Sequence, residues 1–254
     1  MKKIFSSLAV ICLVCIGIFF VITSLLRQNI SKTTPSTIFS TPLPTTLVKT
    51  STVTRKDITY GFEYFEVTDI SKLTLIENFT QKKSSELLMK ENNCQYAING
   101  GFYDIDNKPL GLFINSQLKT KSINSALVNG YVSITNKPII DFNHSDKSKV
   151  ALQTGPMLMM DRNKLKLAIA NDEYARRMIA GISSNGTLVF MTLFIQETKV
   201  QGPKLADLPD ILKLTNLDIV SAINLDGGNA SMFKNTNIYI PEVSSIGAIF
   251  CVNE

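Results

Sequence analysis

Two short stretches put chemistry-bearing residues at the ends of apolar runs. The first is Asn99-Gly100-Gly101, which closes Tyr96-Ala97-Ile98. The second is Asp226-Gly227-Gly228, which closes the run 218–225. Short apolar runs of this kind read as buried strands. Glycine tolerates positive φ and lets a ligand approach the main chain closely. A carboxylate at a strand end, followed by exposed amides in a Gly-Gly turn, can hold a polar substrate. The plainer reading of each is a tight turn with an Asx cap. Both stretches carry Ala-Ile-Asn before or at the turn, so the same device occurs twice. The two ends would face one pocket if their strands lie near each other in the sheet.

The composition removes several other chemistries. The single histidine, His144, lies in the polar segment 141–146 and reads as a loop residue. One histidine excludes a multi-His zinc site. A Ser-His-Asp triad would need His144, and no Gly-x-Ser-x-Gly elbow is present. Asp104 and Asp106 share a loop, but the register of a twelve-residue calcium loop is missing, so an Asx turn is expected there. No metal and no cofactor is called for, and chemistry must rest on carboxylates, arginine, amides and backbone.

The elements that position these residues read as mostly β. Strands are expected over 57–68, 72–77 as its partner, 110–115, 126–134, 139–142, 150–160 and 246–252. Gly155-Pro156 interrupts one of them and argues for an edge or a bulge. The stretch 164–175 is ambiguous. The clearest hairpin joins 177–184 to 187–195 through Asn185-Gly186, the signature of a type I′ turn. Helices are expected over 84–90, with a Ser cap, and over 204–215, with leucines on one face. Many β segments and few helices make an α+β fold, with helices packed on mixed or antiparallel sheets. Cys94 and Cys251 lie at opposite ends of this region. They could pair only if the first and last core strands are neighbours; otherwise they are two buried free thiols.

Ahead of this region the chain changes character. Residues 4–26 are almost entirely apolar and uncharged, behind Lys2 and Lys3. That is long enough to cross a bilayer as a helix, and no clear cleavage signature follows. Residues 1–26 therefore read as an uncleaved signal-anchor, with a cleaved signal peptide as the alternative. Residues 27–56 contain no acidic residue and are crowded with Ser, Thr and Pro, the composition of an extended linker. The formal charge of +5 belongs to these two segments. Seven of the 26 Lys and Arg and none of the 21 Asp and Glu precede Asp57, so residues 57–254 carry 19 basic against 21 acidic groups, net −2. This argues against nucleic acid as a partner. The expected layout is a membrane-anchored, extracytoplasmic domain over 57–254.

Four motifs occur in an order that resembles the phosphodiester glycosidase family: Ile98-Asn99-Gly100-Gly101-Phe102-Tyr103, Gly155-Pro156-Met157-Leu158, Arg177-Met178-Ile179-Ala180-Gly181-Ile182 and Asn224-Leu225-Asp226-Gly227-Gly228. The resemblance spans 95–252. The chain departs at Met178, where the family often has Thr, and at Asn229-Ala230, where it often has Gly and then Ser. The resemblance implies an α+β glycosidase-like domain and hydrolysis of sugar-1-phosphodiester bonds in cell-surface or secreted glycans, without a cofactor.

The residues suit that chemistry on their own terms. Breaking the anomeric C–O bond expels a phosphate monoester, a weak base, so charge stabilisation matters more than a strong acid. Arg177 offers a planar fork for phosphate. Amides around Gly100-Gly101 or Gly227-Gly228 could form an anion nest. Asp226 is the expected carboxylate, activating water or stabilising the sugar cation. Asn99 would hydrogen-bond a sugar hydroxyl, an acetamido group or phosphate. Asp104, Thr154 and Asn229 are further substrate contacts. A second carboxylate is open among Asp104, Asp172, Glu173 and Glu197. The departures motivate another reading, a non-catalytic module that binds a glycan or phosphate polymer.

Overall fold

The computed structural model describes residues 51–253. By internal contacts the chain divides into two units, Met1–Leu47 and Val48–Glu254, and the described residues belong to the second. The signal-anchor expected over 1–26, and the linker up to residue 50, lie outside the described residues. Among the described residues no helix is long and apolar enough to cross a membrane.

In chain order the strands and α-helices are β1 (Ser51–Arg55), β2 (Ile58–Val67), β3 (Leu73–Glu77), α1 (Ser85–Glu91), β4 (Tyr96–Asn99), β5 (Phe113–Ile114), β6 (Gly130–Ile134), β7 (Pro138–Asp141), β8 (Val150–Thr154), β9 (Met157–Met160), β10 (Asn163–Lys164), β11 (Arg177–Ser183), β12 (Leu188–Phe194), α2 (Leu208–Leu214), β13 (Ile219–Asn224), β14 (Phe233–Lys234), β15 (Tyr239–Ile240) and β16 (Ala248–Val252). They form three sheets: β1-β2-β12-β11-β13-β9-β10, then β15-β14-β4-β16-β3, then β5-β8-β6-β7. The pairings within them are antiparallel. With few helices, this is the expected α+β arrangement.

The largest core lies where the inner faces of all three sheets meet. Phe65, Phe190, Ile223 and Met178 come from the first sheet, Ile98, Phe233 and Phe250 from the second, and Phe113, Val132 and Leu152 from the third. Alternate residues of the first sheet, Ile179, Met191 and Ala222, point the other way onto α2 through Leu208, Ile211 and Leu212. On the far face of the second sheet, Ala97, Ile249 and Cys251 pack on Leu88 and Met89 of α1. Strands β11, β12 and β13 are thus covered on both sides, which is why they read as continuous apolar runs instead of alternating ones.

Several expectations change. Residues 51–56, assigned to the linker, form β1 and a two-residue turn. The Thr and Val that make the segment look low in complexity are good strand formers. Lys56 and Asp57 have φ of 49° and 63° between the paired Arg55 and Ile58, so the type I′ geometry occurs here. At Asn185-Gly186 the hairpin is present but the turn differs. The Gly186 amide donates to Ser183 O at 2.9 Å, and Gly186 alone takes positive φ, +84°. That is a type I turn closed by a left-handed glycine. Strand β3 pairs with β16, not with β2. The 150–160 run is two strands in two sheets, with the cis Gly155-Pro156 corner between them. A Cβ on Gly155 would lie 2.2 Å from Leu127 O, so the corner requires glycine.

Of the two alternatives for the cysteines, the structure takes the disulfide. Cys94 and Cys251 are bonded across 157 residues, because β4 and β16 are neighbours with Cys251 opposite Ala97. Closing so long a loop constrains the unfolded chain. Replacing both cysteines by serine is expected to lower stability by about 2–5 kcal/mol, read as a drop in the urea midpoint. An unchanged midpoint would show that the bond contributes nothing.

Candidate active site

The ends of β4 and β13 meet, although the strands belong to different sheets. The Asp226 amide donates to Gly100 O at 3.1 Å. Asn99 Nδ2 donates to Asp226 O at 2.7 Å, and Asn99 Oδ1 accepts from the Met232 amide at 2.9 Å. Asn99 is 1% exposed. Its amide therefore bridges the β4 end and the 226–232 loop, and it holds Asp226 in place instead of presenting itself to a substrate. Thr154 is buried too, with its hydroxyl donated to Asn224 O at 2.9 Å. It ties β8 to β13.

Asp226 keeps partial solvent access, yet its carboxyl is largely enclosed. Burial pushes its pKa up to about 7, against a single Gly227 amide that pulls it down. Tyr103 stands near it: burial and then the Asp226 charge raise the phenol's pKa. Tyr103 Oη donates to Ser245 O. The same loop is held from the other side, where the Val243 and Ser244 amides donate to Asn229 O at 2.8 and 2.9 Å. Asn229 itself is exposed.

The Gly-Gly turn is set by close packing. A Cβ on Gly227 would sit 2.8 Å from Arg176 O, and Gly228 has φ of +63°. The Gly228 amide donates to Arg176 O at 2.8 Å, and the Gly100 amide to Ala248 O at 2.8 Å. Gly100 and Gly101 are buried against Ala248, Leu152 and Gln153. These contacts take up the Gly100 and Gly228 amides, two of those expected to cradle an anion, because the turn needs them to join the sheets, and the Gly227 amide acts on the Asp226 carboxyl.

Adjacent arginines at the start of β11 have different fates. Arg177 Nε donates to Pro203 O at 2.9 Å, and Nη2 reaches Asp172 at 3.3 Å and Glu173 O. Burial lowers its pKa, opposed by Asp172 and Glu173. Its Cδ lies 3.8 Å from a Cβ built on Gly227, so the stem passes the turn while the charged head is tied to Asp172. Arg176, one residue earlier, points to the opposite side and is 1% exposed. It donates to Ser231 Oγ at 2.8 Å, Lys199 O at 2.8 Å, Pro241 O at 3.1 Å and Ser231 O. Burial pulls its pKa down to about 10, with Glu242 opposing, which leaves it charged at neutral pH.

Arg176, Ser231 and Tyr103 were not singled out from the sequence. The signal was there: an Arg-Arg pair entering a strand must send one side chain to each face. Of the carboxylates left open, Asp172 accepts from the Leu205 and Ala206 amides at 2.9 and 2.8 Å. Asp104 forms the expected Asx turn, accepting from the Asp106 and Lys108 amides, both at 2.9 Å. Neither is among the groups that perturb Asp226. Among the described residues no cluster of three or more His, Cys, Asp or Glu could hold a metal ion. A cleft of about 620 Å³ runs along the edge strand β3, away from this turn.

The profile of the phosphodiester glycosidase family matches residues 92–246, which contain every candidate site residue. No curated protein sequence matches the chain. The fold is similar to the zebrafish N-acetylglucosamine-1-phosphodiester alpha-N-acetylglucosaminidase catalytic domain auto-inhibited by pro-peptide. That likeness has a TM-score of 0.65 at 17% identity, covering 81% of this chain and 82% of that one. A hypothetical protein from Synechocystis is similar with a TM-score of 0.55 at 13% identity, over 80% of this chain and 61% of the other.

Proposed function

The chain belongs to the phosphodiester glycosidase family, and we propose that it hydrolyses sugar-1-phosphodiester bonds of glycans, with Asp226 as the base. The observation that carries this reading is the enclosed Asp226 carboxyl at the junction of β4 and β13, with a pKa raised to about 7. A base poised near neutrality combines a large ionised fraction with a strong pull on the proton. The ionised carboxylate takes a proton from water. The water oxygen bonds to the anomeric carbon as the C–O bond to phosphate breaks, and the phosphate monoester leaves with that electron pair. Asn99 and Arg176 act on this step by positioning the Asp226 turn. The low basicity of the leaving group removes the need for a matched acid, which suits a site where no second carboxylate acts on Asp226.

We place the activity outside the cytoplasm, on cell-surface or exopolysaccharide glycans, with the chain anchored in the membrane by residues 1–26. The apolar run 4–26 and the Ser/Thr/Pro-rich stretch behind it support this. So does the Cys94–Cys251 bond, since disulfides persist in oxidising compartments.

The test is release of sugar from an activated sugar-1-phosphodiester by the whole chain across pH 5–9. Because the base must be ionised, kcat/KM is expected to rise about tenfold per pH unit below an apparent pKa of about 7, then level off. A folded protein that releases nothing from a panel of sugars would sink the reading. The tied-off Arg177 head favours one alternative, a non-catalytic glycan-binding module. Saturable binding of the same compounds without turnover, unchanged in Asp226→Asn, would establish that alternative.

A further inference from the structure

A cleft of about 570 Å³ opens on the α2 side of the first sheet, between the β1–β2 hairpin, the segment 167–174 and residues 204–207. Its lining includes Tyr60, which is 2% exposed. No group among the described residues hydrogen-bonds the Tyr60 hydroxyl, and the hydroxyl is not among the sealed buried polar atoms. After burial itself, the groups acting on this phenol are Tyr174, Asp207 and Arg55, all in the cleft wall. The hydroxyl therefore ends in the cleft, unpartnered, where a ligand oxygen would satisfy it.

The rest of the wall has a definite chemistry. Tyr174 is 50% exposed, and Lys204 Nζ stands 5.1 Å from its ring centroid. Lys56 is open to solvent, with Nζ 3.2 Å from Asp207. Asp207 is also engaged by Arg55, and Asp172 by Arg177 outside the cleft. Arg55 is taken up by Asp207 and Asp210, which leaves Lys204, with no carboxylate partner among the described residues, and the solvent-open Lys56 as the cations of the wall that can meet an anion. One ion pair connects the wall of the cleft to the Asp226 turn. Asp172 lines the cleft and pairs with Arg177, whose Cδ lies 3.8 Å from a Cβ built on Gly227.

We propose that this cleft is a subsite for a second anionic sugar unit, a glycosyl phosphate of the same glycan chain. Tyr174 offers an aromatic face to the sugar ring, Lys56 and Lys204 meet the phosphate oxygens, and the Tyr60 hydroxyl bonds a sugar hydroxyl. The proposal rests on the hydrolase reading for its substrate class, but its test does not need turnover.

Hydrogen–deuterium exchange of the whole chain with glucose 1-phosphate reads the site directly. Protection is expected in peptides covering 55–60 and 167–174, and inorganic phosphate or methyl glucoside alone should protect less. Tyr174→Ala combined with Lys204→Gln should weaken the apparent affinity about tenfold or more. Tyr60→Phe, which removes one oxygen and leaves packing intact, should weaken it severalfold. Asp226→Asn should retain the protection. No protection in these peptides, equal protection by inorganic phosphate (an adventitious ion only), or unchanged affinity in Tyr60→Phe and the double variant would each overturn the proposal. Protection here without hydrolysis of any sugar-1-phosphodiester would keep the subsite and remove the hydrolase reading. Hydrolysis without protection would remove the subsite alone.

Discussion

Asp226→Asn is expected to lose turnover by a factor of about 10²–10⁴ and, at the same time, to gain stability above neutral pH. The two effects have one cause. The Asp226 carboxyl is pushed up to about 7 in the folded protein by burial, whereas an unfolded aspartate titrates near about 3.9. The folded state therefore holds the proton more tightly. Stability falls as pH rises from about 4, and the full penalty is present above about 7. Asparagine carries no such charge. It keeps the main-chain bonds of Asp226 to Gly100 and Asn99. The variant should match the parent near pH 4 and exceed it at pH 8 by about 2–4 kcal/mol. Urea midpoints at both pH values, beside kcat, check this. A variant that is less stable at pH 8 would show that the carboxylate is stabilised in place, and turnover that survives would remove Asp226 as the base.

The second large effect is expected at Arg176. Its guanidinium is fully buried and reaches the hydroxyl and carbonyl of Ser231, Lys199 O and Pro241 O. These partners come from three loops, which the one guanidinium joins. Arg176→Met would leave buried carbonyls unpaired and is expected to cost about 3–5 kcal/mol. For a domain of this size that is a fall in Tm of roughly 10 °C. Arg176→Lys should recover little, because a single ammonium cannot span the same set of acceptors. Ser231→Ala removes one of the contacts and should cost only about 1 kcal/mol. Turnover should fall in the arginine variants even where they remain folded, since Ser231 and Gly228 belong to the turn that carries Asp226. Thermal melts with activity measured well below Tm separate the two contributions. A loss of under 1 kcal/mol for Arg176→Met would show the cluster to be dispensable.

Several features were legible from local pattern. The runs ending at Asn99 and Asp226 were recognisable as strands, and they are. The hairpin around Asn185-Gly186 is there, as is the amphipathic helix after Lys204. The order of four motifs led to the right family. Each of these depends on side-chain periodicity, glycine sterics or a turn within a few residues, and such information is carried by the segment itself.

What the segment does not carry is which distant group takes up its hydrogen bonds. The glycine amides at 100 and 228 look free in sequence and are consumed by Ala248 and Arg176. Asn99 looks like a ligand for sugar and serves as a clamp. Arg177 and Arg176 are alike in sequence, and only the cover on each face of β11 decides that one pairs with Asp172 while the other becomes a buried anchor. The pairing of β3 with β16, the Cys94–Cys251 bond and the meeting of β4 with β13 across two sheets are likewise long-range choices. By itself the sequence determined the strands leading to Asn99 and Asp226, the hairpin at Asn185-Gly186 and the carboxylate just beyond β13, because each rests on local periodicity and glycine sterics. Tertiary structure alone decided that this carboxylate would be enclosed, because its pKa depends on how much water the other sheets exclude.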